Sequence, residues 1–278
     1  MRYLYSLLLT ALLLASGAAS LRAQDKSGAS PTRAVYGEPI GRLWINTYGT
    51  VRLTNRVFWV AQTHFRFQET ERVPLAGQVA QLYNRHALGY LFSKKFKMSV
   101  GGVLRVNFNT AAPSAERPDD RNVVPEWRIW HEYLFAMPMS RLMVYNRVRI
   151  EHRWTRGFSE GSEWIFRNRW RYMMTLKIPV NKKTLSTHAF YVAPEAEVIM
   201  QSGKSVVDSP FEDLRLHTSF GYILTPRLTL ATGLMYSQGQ DLADGAFYKQ
   251  RWTCRLHAYF SPDFRRVKNK LPAIHMTD

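Results

Sequence analysis

Arginines recur at every second position in two segments of this chain, 145–154 and 166–176, with mainly apolar or aromatic residues between them. Because successive side chains of a β-strand point to opposite faces, each segment predicts a strand with one charged face and one apolar face. The charged face carries Arg147, Arg149, Glu151, Arg153, Arg167, Arg169 and Arg171. A soluble core cannot bury such a row, whereas a membrane barrel has a polar interior and an apolar outer surface. The pattern therefore predicts an all-β, antiparallel transmembrane β-barrel with an arginine-rich lumen.

The first two dozen residues have the organisation of a secretory signal peptide. Arg2 supplies a positive start, residues 4–15 form an apolar run, and small residues follow. We expect cleavage after Ala23, with a cut near Ala18 or Ala19 as the alternative. The apolar run is short for a membrane helix, which disfavours the further alternative of an uncleaved N-terminal anchor. The later sequence has no run of apolar residues long enough for a helical span, so strands are left to cross the membrane.

The single cysteine and the net charge limit which anchors, cross-links and binding partners the sequence predicts. The single cysteine, Cys254, lies far from the signal peptide, which argues against a lipid anchor and an internal disulfide. The formal charge of +17 would suit nucleic-acid binding, but the arginines alternate with aromatic residues inside strands instead of clustering. We therefore expect no nucleic-acid partner. Outer-membrane lipid, the phosphates of lipopolysaccharide and small anionic solutes fit the arginines better.

Segments with period-two alternation recur from residue 41 to residue 260, separated by turn-forming residues. Eleven candidate strands lie near residues 43–53, 57–68, 79–92, 98–108, 126–135, 145–154, 166–176, 187–199, 213–222, 228–236 and 248–260. Tryptophans, including Trp44 and Trp59, are expected to point outward near strand ends, as in interfacial girdles. A soluble β-sandwich or lipocalin-like barrel is the alternative, with the apolar faces inside and the arginines in water.

The connections between the candidates alternate in length, as do the periplasmic turns and extracellular loops of outer-membrane barrels. The short ones are Thr54–Arg56, Ser93–Lys95, Pro138–Ser140, Asn181–Lys183 and Thr225–Pro226. Because a short connection follows the first candidate strand, that strand should run from the outside to the periplasm. An exported N-terminus, however, starts in the periplasm. Bacterial barrels also have even strand numbers as a rule. Both arguments predict a twelfth strand or an extended crossing within residues 30–41, and ten strands is the alternative.

These observations divide the chain into four parts. Residues 1–23 are the signal peptide, and residues 24–40 are an N-terminal segment that holds an irregular first strand in the twelve-strand interpretation. Residues 41–260 form the barrel. Residues 261–278 are a basic tail, which we interpret as a periplasmic extension or a solvated end.

Several strand segments, taken in order, resemble an uncharacterised family of outer-membrane barrels catalogued as domain of unknown function 2490, common in Bacteroidota and other Gram-negative bacteria. The segments that carry the resemblance are the strand at Trp44, Arg85–Tyr90, Glu126–Trp130, Arg147–Arg153, Arg167–Arg171, Arg215–Tyr222 and Arg251–Phe260. The resemblance implies a barrel in the outer membrane and supplies no catalytic residues. The basic tail after Phe260 departs from the usual ending at an aromatic strand.

Strand alternation places a set of charged side chains in the lumen as candidate binding residues. The set is Arg128, Arg147, Arg149, Arg153, Arg167, Arg169, Arg171, Glu126 and Glu151. One hypothesis is a small pore that selects anions through its excess of arginine. The alternative is a sealed structural barrel whose interior is filled with salt bridges. We expect a monomer in either case.

A membrane lipid hydrolase is a third hypothesis. It depends on His217 and Ser219, which share one strand face and are the best local pair of base and nucleophile. Asp213 is the nearest acid along the chain. Glu116, Asp119 and Asp120 lie in the 110–125 loop and could bind calcium, although a solvated loop is the simpler interpretation. We expect no metal and no cofactor.

Overall fold

The computed structural model describes residues 34–111, 120–207, 209–241 and 245–266. All twelve regular elements in these ranges are β-strands. No helix in the described part of the chain is long and apolar enough to cross a membrane, a finding that does not bear on crossing by strands.

Some predicted features fall outside the described residues. The signal peptide at 1–23 is one of them, and the end of the basic tail from residue 267 onward is another. Glu116 and Asp119 of the proposed calcium loop also lie outside, while Asp120 is described.

The twelve strands are β1 (Val35–Tyr36), β2 (Ile40–Arg52), β3 (Val57–Gln68), β4 (Gln78–Ser93), β5 (Phe96–Phe108), β6 (Val123–Met139), β7 (Leu142–Thr155), β8 (Ile165–Pro179), β9 (Phe190–Ser202), β10 (Phe211–Thr225), β11 (Leu228–Gln240) and β12 (Phe247–Phe260). Each strand from β2 to β12 pairs antiparallel with the next one along the chain. β12 then pairs with β2, which closes the sheet into a barrel of eleven strands with β1 outside the ring.

The closing pair is parallel, with a register that runs from Arg251 beside Ile40 to Phe260 beside Gly49. An odd number of alternating strands makes the first and the last run in the same direction, so they can only close in parallel. Every candidate segment from residue 43 onward forms a strand, and β1 supplies a twelfth strand within the predicted range 30–41. The closed ring nevertheless has eleven strands, so the predicted even number of barrel strands is wrong.

The predicted extra crossing within residues 30–41 is absent among the described residues 34–41. Val35–Tyr36 pair in parallel with β12, and β2 pairs in parallel with the same strand from Ile40 onward. β1 is therefore a short, interrupted extension of β2. Pro39 lies in the interruption and has no N–H for the ladder, which gives a physical reason for the break.

Connection lengths distinguish the two ends of the barrel. At one end, which we call the short-turn end, four connections have two to four residues: 53–56, 94–95, 140–141 and 226–227. The fifth connection there, 180–189, is longer than predicted, since β9 begins at Phe190 and not at residue 187. The other end, the long-loop end, has the connections 69–77, 109–122, 156–164, 203–210 and 241–246.

The barrel wall has charged side chains inside and apolar side chains outside. β4 shows the alternation. Arg85 and Ala87 share the inner face and are each 5 % exposed, whereas the next residue, Leu88, points outward and is 63 % exposed. Exposed apolar residues on the other strands include Trp59, Phe65, Trp127, Ile129, Trp170, Leu216, Phe220, Leu234 and Trp252. This polarity is the reverse of the one expected for the soluble alternative.

Apolar and aromatic side chains cluster in the interior near the short-turn end, with the buried Lys97 and Lys177 packed against their rings. One cluster joins Phe58, Val60 and Trp130. Others contain Leu134 with Tyr145, and Tyr191 with Ile223. We call this layer the apolar floor, because each of these side chains is at most 8 % exposed.

Residues 261–266 cross the short-turn end, and we call them the C-terminal strap. The Arg52 N–H donates to the Pro262 carbonyl at 2.9 Å, and the Phe264 N–H donates to the Arg52 carbonyl at 3.0 Å. Arg265 donates from Nε and Nη2 to the Asp263 carboxylate at 2.9 and 2.7 Å. These bonds hold the pKa of Asp263 well below its ordinary value.

Candidate functional site

Buried carboxylates inside the barrel are each shared by several arginines. Glu126, on β6, accepts hydrogen bonds from Arg128 Nε at 2.6 Å, Arg105 Nη1 at 2.9 Å and Arg153 Nε at 3.0 Å. The strand register explains the grouping, since Glu126 lies directly opposite Arg105 and Arg128 lies opposite Arg153. A carboxylate that accepts several charged hydrogen bonds offsets the repulsion between the guanidinium groups.

Glu151 is the centre of this network and is fully buried. Arg128 Nη1 lies 2.6 Å from Oε2, and Arg171 Nη1 lies 2.9 Å from Oε1. Arg85 and Arg169 approach the same carboxylate to 3.7 Å each. One negative charge therefore faces four guanidinium groups from three different strands, β4, β6 and β8.

Further carboxylates extend the network around the same side of the barrel. Glu197 binds Arg147 at 2.9 Å, Arg171 at 2.7 Å and Arg215 at 3.3 Å. Glu132 accepts a hydrogen bond of 2.7 Å from Arg149 Nε. Glu212 forms ion pairs with Arg153 and Arg169.

The acids are distributed unevenly around the barrel. All the carboxylates within the strands lie on β6, β7, β9 and β10. The six neighbouring strands β11, β12, β2, β3, β4 and β5 contain no aspartate or glutamate. We call these six strands the acid-free wall. Its arginines are Arg42, Arg52, Arg66, Arg85, Arg105, Arg251 and Arg255.

An interior cavity of about 190 Å³ lies between the acid-free wall and the acidic side. Arg42, Arg66 and Arg251 line it from β2, β3 and β12, and Asp213 and Glu212 line it from β10. Most of these residues lie near the strand ends that meet the long loops. Within the described part of the chain, no carboxylate lies within 4.0 Å of the three arginines, so their charge is not paired.

Arg66 is held in place by aromatic rings. Its guanidinium carbon lies 3.7 Å from the centre of the Trp44 ring and 4.1 Å from that of Tyr83. It also donates to the Tyr83 hydroxyl at 2.9 Å. Trp44 is only 5 % exposed, so the prediction that it points outward is wrong. Stacking on the rings leaves the edge of the Arg66 guanidinium accessible, and its Nε makes no hydrogen bond within the protein.

Most of the lumen residues predicted from the sequence meet in this network. Glu126, Glu151 and the arginines Arg128, Arg147, Arg149, Arg153, Arg169 and Arg171 are joined through shared carboxylates. Arg167 binds elsewhere, donating to the side chain and carbonyl of Ser205 at 2.7 and 3.0 Å. Arg42 and Glu212 were not predicted; both lie near strand ends, where alternation is a weak guide.

His217 and Ser219 lie on the buried face of β10, as their spacing predicts. The acid nearest to His217 is Glu195, directly opposite on β9, with its Oε1 3.7 Å from Nδ1. Asp213, the acid suggested by the sequence, instead accepts hydrogen bonds from Arg215. Arg255 Nη1 lies 3.2 Å from Nδ1, and a guanidinium can only donate. This contact favours the tautomer with the proton on Nε2, the nitrogen that would have to accept a serine proton.

No group of three or more His, Cys, Asp or Glu that could hold a metal ion occurs in the described ranges. The side chains that line the cavity offer guanidinium donors and carboxylate acceptors, which suit anion binding and hydrogen bonding.

Comparison with known proteins agrees with the resemblance in the strand segments. No curated protein matches the chain. Residues 41–248 match the family described as protein of unknown function DUF2490, and this match covers most of the chain. The chain therefore belongs to the DUF2490 family.

Proposed function

We propose that this protein is an outer-membrane β-barrel that binds small anions in its interior, from the long-loop end. The reversed polarity of the wall supports the membrane location, because exposed Leu, Trp and Phe suit lipid while a closed barrel leaves no open sheet edge. Outer-membrane lipid and lipopolysaccharide are the proposed surroundings of a monomeric barrel.

The observation that carries the anion-binding proposal is the acid-free wall. Arg42, Arg66 and Arg251 face one cavity and form no ion pair with the carboxylates that line it, although carboxylates compensate the arginines on the opposite side. An uncompensated charge inside a protein is costly, and a bound anion removes that cost. Guanidinium groups also match the geometry of phosphate and carboxylate oxygens.

The proposal favours a blind binding cavity over a through-pore. The apolar floor and the C-terminal strap both lie at the short-turn end, opposite the cavity. A hydrated anion would have to cross a layer of buried Phe, Leu and Tyr side chains to leave by that route. In this proposal the barrel is closed at the short-turn end and open to solutes at the long-loop end.

The proposal assigns no catalysis to His217 and Ser219. The support is the Arg255 contact, in which a guanidinium N–H donates to the Nδ1 lone pair of His217, and the absence of a hydrogen bond between His217 and Ser219 among the described residues.

Calorimetric titration of the detergent-refolded protein with inorganic phosphate, in chloride buffer, tests the proposal. We expect saturable binding that weakens by roughly ten- to 150-fold in Arg251→Gln, because one charge-assisted hydrogen bond contributes roughly 1.5–3 kcal/mol. Arg141→Gln is the matched control, since Arg141 is an exposed residue of a short turn. Absence of phosphate binding to a folded barrel, or equal loss in both variants, would overturn the proposal.

A further inference from the structure

One carboxylate oxygen in the cavity has no partner. Asp213 is 6 % exposed, and its Oδ2 accepts hydrogen bonds from Arg215 Nε at 2.8 Å and Nη2 at 2.6 Å. Its Oδ1 is buried and accepts no hydrogen bond. A carboxylate oxygen can only accept, so this atom is available to a donor that enters the cavity.

Gly239 leaves space beside that oxygen. It lies directly opposite Asp213 on the neighbouring strand β11. A Cβ atom at this position would lie 3.2 Å from Asp213 Oδ1 and 2.8 Å from Arg251 Nη1. The acid and the arginine thus flank the same space, yet they form no ion pair with each other.

Unpartnered donors face the same cavity from three strands of the acid-free wall. The Nε atoms of Arg42, Arg66 and Arg251 are buried and make no hydrogen bond. Among the described residues that line it, the cavity therefore combines several unpaired guanidinium Nε donors with one unpaired carboxylate oxygen. A simple anion satisfies the donors but leaves Asp213 Oδ1 without a partner.

We propose that the ligand of this cavity is a phosphorylated sugar, whose phosphate binds Arg42, Arg66 and Arg251 and whose hydroxyl donates to Asp213 Oδ1. This inference deepens the proposed function and depends on it. A phosphate monoester carries a charge of about −1.5 to −2 near neutral pH and so matches several guanidinium groups better than one carboxylate does. A sugar hydroxyl supplies the donor that a dianionic phosphate lacks.

Three probes separate the two halves of the site: inorganic phosphate, glucose 6-phosphate and glucose, titrated into the refolded full chain at about pH 8, where phosphate is mostly dianionic. We expect glucose 6-phosphate to bind about tenfold more tightly than phosphate, the effect of one hydrogen bond to a charged group. Glucose alone should show no binding.

Substitutions then assign the contacts. Asp213→Asn should remove the preference for glucose 6-phosphate while phosphate still binds, and Gly239→Ala should weaken the binding of glucose 6-phosphate by narrowing the space between Asp213 and Arg251. Asp241→Asn is the matched control, because Asp241 pairs with Lys249 beside a long loop and does not line the cavity. It should leave the preference unchanged.

The source of the phosphorylated sugar is distinguished by competition. Displacement of glucose 6-phosphate by purified lipopolysaccharide identifies a lipid-linked sugar phosphate, and lack of displacement identifies a soluble one. Equal affinities for phosphate and glucose 6-phosphate, or a preference that survives Asp213→Asn, would overturn this inference while the anion-binding proposal stands. Failure of phosphate itself to bind would overturn both.

Discussion

Replacing Glu151 with glutamine removes the negative charge that four arginines share at the centre of the buried network. Glu151 is fully buried and accepts hydrogen bonds of 2.6 and 2.9 Å from Arg128 and Arg171. Glutamine keeps the shape of the side chain, so the change acts on charge and not on packing. The guanidinium groups that remain would repel one another without a counter-charge.

The size of the effect follows from those contacts. Each of the two hydrogen bonds joins charged groups and contributes roughly 1.5–3 kcal/mol, and removal of one partner from a buried ion pair costs roughly 3–5 kcal/mol. We therefore expect Glu151→Gln to lower the free energy of unfolding by about 3–5 kcal/mol, or roughly a thousandfold in the unfolding equilibrium constant.

Urea unfolding of the refolded protein in detergent or lipid vesicles measures this change through the fluorescence of the outward tryptophans. Glu163→Gln is the matched control, because Glu163 is exposed in a long loop and removes the same charge. A second variant, Glu151→Gln with Arg171→Gln, should recover part of the loss. If Glu151→Gln unfolds within about 0.5 kcal/mol of the wild type, the typical range for a surface change, the network does not stabilise the barrel as we argue.

Three further predictions follow from the barrel ends. Arg265 lowers the pKa of Asp263 in the folded state. The ionised Asp263 carboxylate therefore stabilises the C-terminal strap above about pH 4, and this stabilisation is lost as pH falls further. Hydrogen exchange of residues 261–266 should rise at low pH, and Asp263→Asn should remove that pH dependence. Parallel closure puts the start of β2 and the end of β12 at opposite ends of the barrel. In the proposed membrane location, cysteine labels at Val35 and Ser261 should therefore react from opposite sides of oriented vesicles. In planar bilayers the folded wild type should give no steady single-channel steps, and anion-selective steps would contradict a blind cavity.

The strands were predictable because alternation of charged and apolar residues is a local property of the sequence. The short connection after β8 was not predicted correctly, because Asn181 holds a longer loop together. Its Oδ1 accepts a hydrogen bond of 2.8 Å from the Phe190 N–H, and its Nδ2 donates to the His188 carbonyl at 3.1 Å. Such contacts join residues whose spacing carries no periodic signal.

Closure of the barrel depends on the relation between strands that are far apart in sequence. The even-number rule assumes antiparallel closure, and nothing in the period-two pattern of β2 or β12 reports which direction the closing pair takes. The structure settles it through ten register partners between Ile40–Gly49 and Arg251–Phe260.

Alternation predicted the face of most interior residues, with exceptions such as Trp44, but not their partners. Arg147 on β7 reaches Glu197 on β9, across β8, and Glu195 replaces Asp213 as the acid nearest to His217. These pairs depend on register and on side chains that span the interior. The acid-free wall, in contrast, is visible in the sequence once the strand order is known, since it needs only the absence of acidic residues from six neighbouring strands.

Anomalous diffraction from crystals of the protein grown with arsenate, a phosphate mimic, tests the central claim most directly. The account predicts one arsenate inside the barrel, within hydrogen-bonding distance of Arg42, Arg66 and Arg251 and close to Gly239. Arsenate confined to the outer surface, or an interior without arsenate at saturating concentration, would contradict the claim that the acid-free wall is an anion-binding site.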